Sequence, residues 1–96
     1  MAASTHNINY QCFLTLMRLA RERAGITQEM LGRRLGNSQT FVSKIERGER
    51  RVDFVEFVEI CEALGENPVD ILGEYLASRQ KHSTLKTQSK RDPFTR

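Results

Sequence analysis

The chain has 96 residues, 39% of them apolar and 28% charged, with two cysteines and a formal net charge of +3. That length allows one small domain able to fold without cross-links. No stretch approaches the roughly 18 apolar residues of a membrane span, and the opening MAASTHNINYQC lacks a basic region ahead of an apolar core, so neither a span nor a secretory signal is expected. The expected compartment is the cytoplasm, with Cys12 and Cys61 as reduced, buried thiols. Two cysteines, with His6 and His82 in terminal segments, are too few for a metal centre, and neither metal nor cofactor is expected.

In chain order, residues 1–7 are small and polar and read as a flexible N-terminus. A first helix is predicted from Ile8 to Ala24, with Tyr10, Phe13, Leu14, Met17 and Ala20 on its core stripe and Gly25 ending it. Two short helices follow. Thr27 and Ser38 stand at their starts as N-cap candidates, and Gly36 and Gly48 stand at their ends, where a left-handed residue closes a helix cheaply. Met30, Leu31 and Leu35 form the apolar side of the first of the pair, and Val42 and Ile45 that of the second. Gly32 lies mid-helix, where it costs about 1 kcal/mol relative to alanine; a close helix–helix contact would explain that expense. Two helices meeting steeply through a glycine turn form a helix-turn-helix.

Asp53 and Glu56 fit a capping box for a fourth helix ending at Leu64, and Gly65 closes it. Asn67 and Pro68 open a fifth, with Val69, Ile71, Leu72, Tyr75 and Leu76 apolar. From Ser78 the chain turns polar and basic, and 78–96 reads as a disordered tail behind a domain spanning 8–77. The fold expectation is all-α, five helices and no strand, with the helix-turn-helix at helices 2 and 3.

Charge is segregated along the chain. Residues 1–51 carry nine Lys/Arg against four Asp/Glu, whereas residues 52–74 carry seven acids and no base. A domain with one basic and one acidic end orients itself before a polyanion. No paired acid and base, phosphate loop or motif histidine is present, so no enzyme activity is expected.

The stretch TQEMLGRRLGNSQTFVSKIERG, residues 27–48, resembles the helix-turn-helix of phage repressor and Cro proteins, the Xre-type regulators. The matching features are Gly25-Ile26-Thr27-Gln28 at the first helix, a small residue at Gly32, Gly36 in the turn, Ser38-Gln39 opening the second helix and Ile45-Glu46-Arg47-Gly48 closing it. One departure is Gly32 itself, where that family more often has alanine.

The resemblance implies that the second helix enters the major groove of double-stranded DNA, with Gln39, Thr40, Ser43 and Lys44 toward base edges. Gln39 suits adenine N6 and N7, Lys44 suits guanine O6 and N7, and Thr40 suits a thymine methyl or a hydroxyl contact. Gln28 matches the family glutamine that bonds a phosphate, and Asn37, Arg50 and Arg51 are further phosphate candidates. Arg33 and Arg34 are divided between phosphate contact and solvated charge. Arg21 and Glu46 match positions that form an internal ion pair in the family. Phe41 is expected to be partly buried.

One recognition helix covers only a few base pairs, so a homodimer on an inverted repeat is expected. Ile60, Leu64, Val69, Ile71, Tyr75 and Leu76 outnumber the needs of one small core and are assigned to the dimer interface. The function implied is transcriptional regulation of the prophage-repressor, restriction–modification-controller or antitoxin kind, with RNA polymerase as a further partner where such a regulator activates. The rival expectation is a protein-interaction adaptor that keeps the five helices without DNA contact.

Overall fold

The computed structural model describes residues 7–82. Five helices are present and no strand among the described residues: α1 (Ile8–Arg23), α2 (Gln28–Arg34), α3 (Gln39–Glu46), α4 (Phe54–Leu64) and α5 (Pro68–His82).

Each start is capped by the chemistry that its sequence supplies. Asn7 Oδ1 accepts from the backbone N–H of Asn9 and Tyr10 at the head of α1. Thr27 Oγ1 accepts from Met30 N, and Ser38 Oγ from Phe41 N, each satisfying one of the orphan donors of a helix start. Asp53 and Glu56 form a complete capping box on α4. At the other ends, Gly36 (φ +69°) and Gly48 (φ +78°) take the left-handed conformation that the turns on either side of α3 require.

Packing is between α2 and α3, α1 and α5, α1 and α3, α4 and α5, and α2 and α4. Leu14, Met17 and Ala20 of α1 meet Leu31 of α2, Val42 and Ile45 of α3, Ile60, Cys61 and Leu64 of α4, and Ile71 of α5 in one core. Burying an aliphatic side chain of this size stabilises by roughly 1.5–3 kcal/mol, so this cluster holds the α2–α3 pair against the rest. Phe13 stands at an aromatic junction, with ring centroids 5.8 Å from Phe57 and 6.4 Å, edge-on, from Tyr75.

Two expectations are corrected. Ile60, Leu64 and Ile71 belong to this core, at 5%, 6% and 1% exposure, and have no surface to give a partner. The two acidic-half helices need them to close the domain beneath α1 and α2. Of the six residues assigned to an interface, Tyr75 is half-buried and only Val69 and Leu76 are exposed. The second correction is the end of α5, which runs to His82 rather than stopping before Ser78. Arg, Gln and Lys are good helix formers, so a polar turn of sequence is no stop signal, and the Arg79 guanidinium lies over the Tyr75 ring one turn back. The rest of the expected tail, 83–96, and residues 1–6 lie outside the described residues.

Candidate nucleic-acid interface

The helix pair meets in a close backbone contact at Gly32. A Cβ built on Gly32 would stand 2.6 Å from the carbonyl oxygen of Ser38 and 2.7 Å from its carbon. The backbone of α2 therefore rests directly on the N-cap of α3. The Asn37 N–H donates to Gly32 O at 2.8 Å, closing the turn over the same glycine.

With Val42 and Ile45 buried, the opposite face of α3 points to solvent. Gln39, Thr40, Lys44 and Arg47 are exposed and Ser43 is half-buried. Arg47 donates to both carboxylate oxygens of Glu49 and, through Nη1, to Ser43 Oγ, so this arginine is occupied at the C-terminal end of the face. Phe41 is half-buried, and the Arg50 guanidinium lies 4.7 Å from its ring centroid.

Beneath the face runs a chain of four polar side chains. Arg21 binds Glu46 through Nε (2.7 Å) and Nη2 (3.1 Å), and its Nη1 donates to Ile26 O. Glu46, in turn, raises the pKa of Arg21 above its ordinary value. Gln28 Nε2 donates to Glu46 Oε1 at 2.9 Å, and Gln39 Nε2 donates to Gln28 Oε1 at 3.3 Å. The two glutamines that open α2 and α3 are thus joined to each other and to the ion pair.

The loop after α3 separates two adjacent arginines. Arg50 forms a bidentate pair with Glu56 (3.0 and 2.7 Å) and donates to Arg51 O. The Arg50 guanidinium, with the Asp53 backbone N–H next, holds the Glu56 carboxyl below its ordinary pKa. That stabilisation is present above the ordinary carboxylate range and is lost as pH falls through the lowered value. Among the described residues, Arg51 has no such acid. Its guanidinium lies 4.5 Å from the Tyr10 ring centroid, and the Tyr10 hydroxyl accepts from Val52 N at 3.0 Å. Asn37 is exposed, and its Oδ1 accepts from Ser38 N.

The remaining arginines divide as well. Arg34 Nη1 donates to Ala63 O at 2.8 Å, tying α2 to the last turn of α4. Arg33 is exposed and pairs with Glu29 one turn back. Tyr10, Glu56 and Arg34 were not singled out from the sequence for these contacts. Tyr10 resembles any core aromatic, Glu56 any capping acid, and Arg34 one more surface base.

A helix-turn-helix family model matches residues 17–71, from the middle of α1 to the start of α5. The chain belongs to the Xre/Cro-type helix-turn-helix family. A curated relative, the uncharacterised HTH-type transcriptional regulator y4dJ of Sinorhizobium fredii, is 40% identical over 55 residues, 57% of this chain and 70% of its own length. Among solved structures, an XRE-family like protein from Pseudomonas syringae is 46% identical with a TM-score of 0.72, over 76% of this chain and 89% of that one. The clp gene regulator ClgR from Corynebacterium glutamicum is 26% identical with a TM-score of 0.67, over 76% and 78%.

Proposed function

We propose that this chain is a DNA-binding transcriptional regulator that occupies an inverted-repeat site as a homodimer. The observation that carries this reading is α3. One of its faces is locked into the core through Val42 and Ile45, and the other offers Gln39, Thr40 and Lys44 to solvent with Ser43 between them. A major groove admits one such helix and distinguishes all four base pairs by donor and acceptor pattern. The y4dJ protein and the XRE-family like structure support the assignment by likeness.

In this reading Gln39, Thr40, Ser43 and Lys44 reach base edges, while Gln28, Asn37 and Arg51 face phosphates. Arg50 moves to a different role. Both terminal nitrogens of its guanidinium are engaged by Glu56 and Arg51 O, so it shapes the loop from which Arg51 projects. Repression follows where the bound protein occludes a promoter, and activation where it touches RNA polymerase.

The dimer surface in this reading is the outer stripe of α5. Val69, Leu72 and Leu76 are 72%, 48% and 48% exposed and lie at i, i+3 and i+7, on one side of the helix. Gly73 sits among them with open space where its Cβ would be, so a second helix meets bare backbone there. A two-fold axis would set this stripe against its own copy.

Selection from random-sequence DNA, followed by gel shift, tests the reading. An enriched inverted repeat with half-sites about 34 Å apart is the expected product. A folded protein that enriches no sequence would leave the five helices as an adaptor for other proteins.

A further inference from the structure

The end of α3 brings an acid back beside its own outward face. Gly48 takes the left-handed conformation, and the N–H groups of Gly48 and Glu49 donate to Ile45 O and Lys44 O at 3.0 and 2.8 Å. This double closure turns the chain sharply and sets Glu49 against the last turn of the helix. Arg47 meets it there. Arg47 follows Thr40 and Ser43 at i+7 and i+4, so it continues the exposed face that Gln39, Thr40 and Lys44 open. Its Nε and Nη2 donate to the two Glu49 oxygens at 2.9 and 3.1 Å, and its Nη1 donates to Ser43 Oγ.

We propose that Glu49 is an affinity-setting residue, an internal carboxylate that occupies the Arg47 guanidinium in place of a DNA phosphate. A carboxylate and a phosphate both accept two parallel N–H bonds from a guanidinium, so one can replace the other on the same donors. The pair is open to such exchange: Arg47 and Glu49 are 53% and 52% exposed, whereas Arg21 and Glu46 are 11% and 9%. An exposed ion pair is weak in water and is easily opened. The Arg47 hydrogen bonds, with the charges of Arg47 and Lys44 behind them, hold the Glu49 carboxyl below its ordinary pKa, so it stays ionised at neutral pH. Its charge cancels that of Arg47, and this end of the face gains no net cation. A phosphate that takes Arg47 must displace Glu49 and leave that carboxylate unpaired beside another anion. This inference rests on the DNA-binding reading above.

The test measures binding of the full chain to the DNA site that it selects and to random-sequence DNA, across a range of salt. Glu49→Gln removes the charge and keeps the shape, at a side chain outside the core. It should tighten binding several-fold on both DNAs and steepen the salt slope by about 0.9, so that the gain is about 3.5 times larger at 50 mM than at 200 mM salt. Base preferences at the site should stay as in wild type, because a phosphate contact carries no sequence information directly. Adding Arg47→Ala to Glu49→Gln should return the slope to the wild-type value. A Glu49→Gln variant that selects the same site with unchanged affinity and slope would overturn the exchange alone. So would a double variant that stays as tight as Glu49→Gln, since Glu49 would then act by its own repulsion of DNA and not through Arg47. A new guanine preference in Glu49→Gln would set Arg47 on a base and overturn the phosphate assignment. A wild type that selects no site would overturn the DNA-binding reading, and this inference with it.

Discussion

Gly32 and Ser38 touch backbone to backbone: a methyl group on residue 32 would lie 2.6 Å from the Ser38 carbonyl oxygen. Alanine at a helix-interior glycine normally stabilises by about 1 kcal/mol. Here α3 would have to move off α2 to admit the methyl, and the clash is with backbone, which has no rotamer to yield. Gly32→Ala should therefore lower the melting temperature. Gly73→Ala, the same change in α5 where nothing in the same chain lies within 4 Å, should raise the stability of the single chain by about 1 kcal/mol, measured at a concentration where it is monomeric. Thermal unfolding of the two variants side by side checks the pair, and a stabilised Gly32→Ala would mean that the contact yields easily.

Glu46 and Arg21 are 9% and 11% exposed and bonded through both carboxylate oxygens. Removing one partner leaves the other charge poorly solvated, which costs about 3–5 kcal/mol when such a pair is buried. Glu46→Ala is expected to lose stability on that scale in urea. A change below about 1 kcal/mol, the range of a surface ion pair, would show that water reaches the pair.

Arg50 and Arg51 are neighbours with opposite expectations. Arg51→Ala should weaken binding to all DNA sequences alike and reduce the salt slope by about one. Arg50→Ala should lower thermal stability in the absence of DNA, since it strips Glu56 of its partner. Tyr10→Leu should resemble Arg51→Ala in the slope, because the ring that carries the guanidinium is gone. Equal salt slopes for the two arginine variants would count against the division.

The α5 stripe makes a prediction for sedimentation. Leu72→Glu with Leu76→Glu should give a folded monomer, since both residues are exposed in a single chain. Gly73→Leu should do the same by filling the bare backbone between them, while its helicity rises. Dimers that survive both changes would place the two-fold contact elsewhere.

Cys61 is fully buried, and burial, with Glu66 and Glu62 next in effect, pushes its thiol up to about 11 from an ordinary 9.0. The unfolded chain releases that proton first, so this group's contribution to stability is complete below pH 9 and is lost as pH rises toward 11. Native protein at pH 8 should be alkylated at the half-buried Cys12 and spared at Cys61, with both modified in denaturant. Mass spectrometry after a short iodoacetamide pulse distinguishes the sites.

The helices and their ends were legible in the sequence because their signals are local. Thr27, Ser38, Asp53 and the left-handed glycines act within a turn or two of where they stand, and the apolar spacing of each helix needs no partner to be seen. The helix-turn-helix followed from those same short-range spacings, and its outward residues from the resemblance to Xre-type regulators. Which arginine is spent inside the protein and which is left for a ligand was decided only in three dimensions. Arg34 meets Ala63 across 29 residues, and Tyr10, which carries Arg51 on its ring, meets Val52 across 42. The apolar residues of α4 and α5 were sorted in the same way. Ile71 and Leu72 are adjacent and chemically alike, yet the packing of α1 and α4 against α5 buries one and leaves the other to solvent. Burial and charge pairing belong to surfaces that exist only once distant segments have met, and no window of sequence contains them.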